Sequence, residues 1–509
     1  MMKIGFKNFR RFKDFPMIEL GGCTFLVGTN NSGKSTLIKA LLLIGNNTKY
    51  NDYSPLFQPF MCNFNFGNIK TEHLYLGDFW SNKNSESPKK QIDLSFANSD
   101  TYFSFIIDGE SLDDDLPAVQ INVRENIIYN ETFDVTFRWV FENEQGGTIE
   151  YSYNPQRTAE WLAIHMEQIL NSDIHDSSLF NKPFDDITDK SFRKHLEAID
   201  GYLESSALES RNNTVARIEK AIKYYESLEG QQIIKEPFKL LNEVDIASNI
   251  EKWPDMLYDF FCIAKEIMSE DFLSCKQQMY IEAHNATHRN LLNVEDKNDY
   301  LAQTVFKYIS LIGDKKRKEF AHKFVLKWLQ ELNIGNDFTI SSVYNEAYTI
   351  EILGKNGRLA PLSDFGTGSI QLLILLLHIE MALIKSTGLI LVEEPEQNLH
   401  PALQSKLADM FYEVWKESEG RISFVVETHS EYIVRHTQVI AAKEIDNGTY
   451  TTEECNDAMK VYYFPEEGLP YLMGYRQNGH FERQFGKGFY DEAGNSTREL
   501  YRIDRGINK

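Results

Sequence analysis

Gly28-Thr29-Asn30-Asn31-Ser32-Gly33-Lys34-Ser35-Thr36 fits the phosphate-binding loop G-x-x-x-x-G-K-[ST] at every defined position. Polyphosphate binding is the chemistry this spacing supports. Backbone N–H groups of the loop and the positive end of the following helix face the phosphates. Lys34 supplies a cation for the β- and γ-phosphates, and Ser35 a hydroxyl for Mg²⁺. The flanks agree with that use: Cys23-Thr24-Phe25-Leu26-Val27 reads as a strand entering the loop, and Thr36 to Leu43 as a buried helix leaving it.

Three further groups follow far downstream. Gly366-Thr367-Gly368-Ser369 precedes an apolar helix and again offers backbone N–H groups to an anion. Leu389-Ile390-Leu391-Val392-Glu393-Glu394-Pro395-Glu396 ends a buried strand in carboxylates, placed to hold Mg²⁺ and to polarise water beside a γ-phosphate. Val425-Val426-Glu427-Thr428-His429-Ser430 ends another strand in an imidazole.

These groups need elements to position them. Residues 1–45 read as strand, strand, loop and helix. From 91 to 155 apolar and polar residues alternate, as in Phe133 to Val140, the pattern of antiparallel strands, with Asp108-Gly109 and Gly146-Gly147 as turns. Residues 156–275 are charged and poor in Gly and Pro, and read as a mainly helical insertion without a sustained heptad. Strands return over 338–343 and 348–353, with Asn356-Gly357 as a turn. A helix starts at Ser369, a buried parallel strand covers 388–392, a helix 401–418, and a second buried strand 422–426. The expected fold is therefore α/β, in three parts: 1–155, the first part of a nucleotide-binding head with an antiparallel β lobe; 156–275, the insertion; and 276–509, the rest of the head.

Composition limits the alternatives. The chain has 509 residues, room for two or three domains at roughly 150 residues each. Its five cysteines form no C-x-x-C pair, which argues for a reduced, cytoplasmic protein without a thiolate metal cluster. The N-terminus lacks a signal-peptide core. The apolar run Ile370 to Ile384 is interrupted by Gln371, His378 and Glu380 and is too short for a membrane span, so a buried helix is expected. A net charge of −22 disfavours nucleic-acid binding over the whole surface; contact would come from a local patch or from a partner. Lys7 to Lys13 and Lys315 to Lys318 are the local basic runs. His284 and His288 stand four apart, but no third metal ligand is evident nearby.

Taken in order, these motifs resemble the ABC-type ATPase heads of the RecF, SMC and OLD (overcoming-lysogenization-defect) group, over about 1–90 and 276–509. Phe6-Lys7-Asn8-Phe9-Arg10-Arg11-Phe12 is similar to that group's first strand. The resemblance implies that Gly366, Thr367, Gly368 and Ser369 form a signature loop reaching the γ-phosphate of a second subunit. It implies that Glu393 is the Mg²⁺-side acid, Glu394 the catalytic base and His429 the switch histidine. Asn398-Leu399-His400-Pro401 resembles the dimer-contacting loop. There are departures: Glu393 stands where many members have Asp, Gly366 where the signature has Ser, and no Q-loop is evident beyond Gln58 and Asp78 as candidates. Tyr280-Ile281-Glu282-Ala283-His284, followed by Arg289, is similar to a segment of the OLD-like branch. Phe485-Gly486-Lys487-Gly488-Phe489-Tyr490-Asp491-Glu492-Ala493 is similar to the C-terminal stretch of the PtuA family, the ATPase subunit of Septu anti-phage systems, also found in some retron operons.

That resemblance implies ATP and Mg²⁺ as cofactors and a homodimer or higher oligomer. It also implies a PtuB-like HNH-type nuclease subunit as partner, and a retron reverse transcriptase with its msDNA as a further component. Nucleic acid would be met indirectly, and no membrane is involved. About 80 residues follow His429 and contain no D-x-D pair of a Toprim domain, and the chain has no H-N-H motif; any cutting is expected from another chain. The expected activity is ATP hydrolysis that controls a partner nuclease. The competing readings are a RecF- or SMC-like repair ATPase that clamps DNA directly, and a nucleotide-binding scaffold with little turnover. A transporter head would not need inserts of this size.

Overall fold

The computed structural model describes residues 2–49, 63–67, 76–163, 219–239 and 278–504. Positions 99, 111, 113–115, 132–133, 144–145, 161–162, 220–221, 284–285, 294, 297–298, 313–314, 345, 386–387 and 488 are excepted. The chain opens with a hairpin, β1 (Lys3–Phe9) and β2 (Phe12–Glu19), whose tip is turned by left-handed residues at Asn8 and Arg10. Strand β3 (Cys23–Gly28) is buried along its whole length and delivers the chain into the loop before α1 (Lys34–Lys49). The helix thus begins two residues earlier than the apolar pattern suggests, with Lys34 in its first turn.

After β4 (Asn63–Asn65) and the short α2 (Phe79–Asn82), the chain builds β5 (Gln91–Asn98), β6 (Thr101–Asp108), β7 (Gln120–Asn130), β8 (Val135–Asn143) and β9 (Gly146–Tyr153). These form the expected antiparallel lobe. With a later strand, β10 (Gln232–Lys239), at one edge, its sheet runs β10-β9-β8-β7-β6-β5-β1-β2, so the opening hairpin is part of it. Gly146 and Gly147 lie within β9 rather than in a turn; a Cβ on Gly147 would stand 1.9 Å from the Val140 carbonyl oxygen, so glycine is needed for strand approach. The part of the expected, mainly helical insertion that is described includes a strand. Strand β10 (Gln232–Lys239) pairs with β9 along its full length and closes the lobe as an edge strand, which is where Pro237 is tolerated. The residues between 163 and 219 and between 239 and 278 lie outside the described residues.

The second sheet carries the loops of interest. Its strands are β11 (Gln278–Ile281), β16 (Gly388–Glu393), β17 (Ile422–Glu427), β3 and β18 (Met459–Phe464), all parallel, with β19 (Tyr471–Leu472) antiparallel at the edge. Burial on both faces explains why β16 and β17 read as unbroken apolar runs. Alternate side chains of β3 enter two cores: Leu26 joins α1 and the lobe, while Phe25 and Val27 face the helices of the other layer. A small antiparallel sheet of β12 (Leu292–Asn293), β13 (Asp337–Val343), β14 (Ala347–Leu353) and β15 (Leu359–Pro361) leads into the downstream half.

The helices of this half are α3 (Tyr300–Ile312), α4 (Lys315–Glu331), α5 (Thr367–Lys385), α6 (Pro401–Glu417), α7 (Glu431–Asp446), α8 (Thr452–Ala458) and α9 (Glu492–Asp504). Among the described residues, α5 is the one helix long and apolar enough to cross a membrane; it is instead buried inside the fold. Its Glu380 has no exposed surface and sits by Tyr308 of α3. Burial is the main cause that raises this carboxyl to about 8, with Tyr308 opposing it. The folded chain therefore keeps a proton that the unfolded chain releases, and stability falls as pH rises from the ordinary carboxylate range through about 8. Glu380→Gln removes that titration. Its melting temperature should gain more over the parent at pH 8.5 than at pH 5, by about 2 °C or more. Equal shifts at both pH values would contradict the assignment.

Candidate nucleotide site

Three adjoining parallel strands end at one place. The register sets Glu393 of β16 beside Glu427 of β17, and Glu427 beside Leu26 of β3, so the loops after all three open on the same edge. Loops at the carboxyl ends of parallel strands are where such sheets bind ligands.

The phosphate loop is held by both sheets. Gly28 and Gly33 have positive φ, as does Asn31 at 60°. A Cβ on Gly33 would stand 2.4 Å from the Phe12 ring, so the hairpin packs directly on the loop. Arg11 reinforces that contact by donating to the Asn31 carbonyl and, at 2.7 Å, to the Glu466 carbonyl. In the first turn of α1 the Thr36 N–H donates to the Gly33 carbonyl at 3.1 Å, while the N–H groups of Lys34 and Ser35 have no preceding helical turn to donate to and suit an anion.

Lys34 is buried at 3% exposure and donates to the carbonyls of Gly28 (3.2 Å) and Thr29 (2.9 Å). Its Nζ stands 3.8 Å from Glu427 Oε1. Burial lowers the Lys34 pKa, and Glu427, Glu394 and Glu396 oppose that shift. Ser35 Oγ donates to the same Glu427 oxygen at 3.0 Å. Ser35 Oγ thus meets Glu427, a residue to which the motifs assign no role. Glu393 occupies the neighbouring register position, and its pKa is raised to about 7 by burial first and by the Glu427 charge second. The sequence signal for Glu427 was present but unused: a carboxylate closing an apolar strand, two residues before His429.

Glu394 adopts a left-handed backbone, φ 44°, with its N–H donating to the Glu427 carbonyl at 2.8 Å. Gln397 donates to its carboxylate, and His429 Nε2 lies 3.7 Å from Glu394 Oε1. Burial, then Lys34, lowers the His429 pKa, while Glu394 opposes this. The His429 backbone N–H donates to Glu396 Oε1 at 2.7 Å. Glu396 is thus a second residue whose role the motif reading left unassigned: it ties the loop after β16 to the loop after β17.

The donor set suits a nucleotide with a hard cation. Thr29 Oγ1, Ser32 Oγ and one oxygen each of Glu393, Glu396 and Glu427 are buried without a hydrogen-bond partner among the described residues. Hydroxyl and carboxylate oxygens are the ligands Mg²⁺ prefers. Ser35, Glu427 and Glu393 would hold it, with Gly28 to Thr36 around the phosphates.

The other predicted residues are divided. Gly366 is exposed, and a Cβ there would meet nothing within 4 Å. Gly368 is buried; a Cβ would stand 2.6 Å from the Asn398 carbonyl oxygen, so this glycine serves packing inside the chain. Gln371 of the same helix donates to the Glu394 carbonyl at 3.4 Å. Among the described residues, no hydrogen bond or ion pair joins 366–369 to 28–36. His288 contacts the Ser363 carbonyl and Thr367 Oγ1, both at 3.1 Å, so its two ring nitrogens bridge the turn that leads into α5. His284 and Gln58 lie outside the described residues. Asp78 caps α2, accepting from the Ser81 N–H at 2.8 Å. His400 caps α6, ahead of Pro401 at the first helical position.

A glycine-rich loop on a parallel strand, a buried lysine and carboxylates on the two neighbouring strands define a P-loop ATPase of mixed α/β architecture. Residues 1–434 match the AAA ATPase domain family, and the chain belongs to that family. Solved structures with similarity include the Smc head domain bound to the C-terminal domain of ScpA from Pyrococcus furiosus, at 12% identity and TM-score 0.33, covering 98% of this chain and 100% of that one. An Smc head with coiled coil and joint from Pyrococcus yayanosii gives 12% and 0.34, covering 94% and 98%. The SMC head from Thermotoga maritima gives 11% and 0.33, covering 93% and 98%. No curated protein matches the sequence.

Removing the Lys34 cation deletes a charge-assisted contact to phosphate, worth about 1.5–3 kcal/mol. Lys34→Ala should weaken ATP binding tenfold or more in isothermal titration with Mg²⁺. Unchanged affinity would remove the nucleotide from this loop.

Proposed function

We propose that the chain binds and hydrolyses Mg²⁺-ATP as the ATPase subunit of an anti-phage defence complex of the Septu type, a PtuA-like protein. In this reading, nucleotide-dependent dimerisation of its heads controls a partner nuclease. The observation that carries the ATPase part is the gathering of Lys34, Ser35, Glu427, Glu394 and His429 on the ends of three adjoining strands.

Each side chain has a chemical task. Lys34 exchanges its carbonyl contacts for phosphate oxygens and neutralises their charge. Ser35 and Glu427, with Glu393 beside them, would hold Mg²⁺, which would supply Lewis-acid stabilisation of the phosphates. Glu394 orients and deprotonates the attacking water, its carboxylate held between Gln397 and His429. His429, kept uncharged at neutral pH by burial, can accept or donate a hydrogen bond at the γ-phosphate. The exposed Gly366 start of α5, with Thr367 and Ser369, is the part of the signature loop that a second subunit could use.

The anti-phage role rests on the likeness of 485–493 to the C-terminal stretch of PtuA proteins. The partner is then a PtuB-like HNH nuclease, with a retron reverse transcriptase and msDNA as further components in some systems.

Glu394→Gln should keep ATP affinity within about twofold but lower the steady-state rate by 10²-fold or more. It should also move the ATP-bound protein to a dimer or larger species in light scattering. Hydrolysis at the parent rate would assign the base elsewhere. A strict monomer with ATP at working concentration would refute head dimerisation.

The purified chain alone should leave plasmid, single-stranded DNA and tRNA intact with Mg²⁺ or Mn²⁺. Cleavage should appear on adding a PtuB-like HNH-type subunit. Cleavage by the chain alone that survives purification and is abolished by an active-site substitution would overturn the division of labour.

A further inference from the structure

The segment that follows β19 folds back on α7, the helix that begins just after His429 and Ser430. Between them lies a cleft of about 400 Å³, the size of small-ligand pockets. Its walls combine three kinds of group. Arg435 of α7 and Arg483 of the returning segment place two guanidiniums at the rim. Gln438 adds an amide on the same helix face as Arg435. Phe485 and Tyr490 contribute aromatic planes, their centroids 5.0 Å apart, with Arg435 5.9 Å above the Phe485 ring. Asp491 lies in the same wall; one of its oxygens and the Tyr490 hydroxyl are buried without a hydrogen-bond partner among the described residues.

This mixture discriminates among ligands. A bare anion would suit the arginines but be repelled by Asp491. An acidic peptide meets the same objection. An apolar ligand would leave the Arg483 guanidinium and the buried Asp491 oxygen unpaired, which is costly; Arg435 is already steadied by Glu431 at 3.1 Å and by Gln438 Oε1 at 3.5 Å. A nucleotide suits all three kinds: its phosphate pairs with guanidinium, its base stacks on an aromatic face, and its amino and ring N–H edge donates to carboxylate or amide.

We infer that this cleft is a second nucleotide site, separate from the phosphate loop, which takes one unpaired base with its phosphate. It is a local cationic and aromatic patch on a chain of net charge −22, so binding would be confined to it. The site does not depend on ATP turnover. The base and phosphate could come from the end of a single strand or from a free mononucleotide.

The test uses the full chain in the Lys34→Ala background, so that the phosphate loop is weakened without adding a nucleotide that would itself fill the cleft. A fluorescent 12-nucleotide single-stranded DNA of mixed sequence is followed by anisotropy against the Arg435→Ala/Arg483→Ala double variant. The expected result is tenfold or greater loss of affinity, with the salt slope reduced by about 0.7 for one lost phosphate contact on a single strand. The variant's melting temperature serves as the folding control. GMP and a blunt duplex are the competitors. Competition by GMP at micromolar levels assigns a free nucleotide, while its failure with strand binding retained assigns a strand end. Duplex competing as well as single strand would overturn the unpaired-base site. So would equal strand affinity in parent and variant, or no binding of strand or GMP to the parent.

Discussion

A lysine and a carboxylate held together in a nearly water-free place set the conditions for this fold. Lys34 and Glu427 are 3% and 6% exposed, 3.8 Å apart. Ions so far out of water stay charged only with a partner, and removing one member of such a pair typically costs about 3–5 kcal/mol. The pair therefore couples two segments almost 400 residues apart in sequence, the loop after β3 and the end of β17. Everything around it serves to keep it in place. Strand β3 must lie next to β17 in a register that sets Glu427 against Leu26, and the layers on both faces must stay apolar to fix that register.

The lobe is joined to this centre through the opening hairpin. Phe12 stands where a Cβ on Gly33 would be, and Arg11 holds the loop by the Asn31 carbonyl. Because β1 and β2 also form the end of the nine-stranded sheet, a change in the loop on phosphate binding has a direct mechanical route to the lobe. On the opposite side, α5 is tied to the loop after β16 twice, by Gly368 against Asn398 and by Gln371 on the Glu394 carbonyl. The exposed Gly366 is therefore attached to the residue proposed to activate water.

The C-terminal return completes the picture from a third direction. Its aromatic cluster packs on Tyr463 of β18, the strand beside β3, with Phe485 and Phe489 rings 5.6 and 5.1 Å away. This leaves its polar residues facing α7. The nucleotide edge of the parallel sheet is thus bordered by the lobe hairpin, the signature helix and this segment, each in contact with a different strand or loop.

Much of this was legible from residue order alone. The phosphate loop, the two buried strands and the antiparallel lobe announce themselves because each rests on a local rule: loop spacing, continuous apolar runs, or alternation with a period of two. Glu394 and His429 were found for the same reason, as polar groups at the ends of apolar strands. Register decided what could not be read locally. That Glu427 rather than Glu393 meets Ser35 follows from β17 lying next to β3 while β16 lies one strand further away. A strand's place in a parallel sheet depends on how long crossovers pack, which leaves no mark in the strand itself. The same holds for β10, which looked like part of a helical insertion until β9 offered it an edge, and for Gly147, whose smallness matters only because β8 passes against it. Local chemistry and periodicity come from the sequence by itself. Which carboxylate meets which hydroxyl came only with tertiary structure, because it depends on neighbours the chain reaches hundreds of residues later.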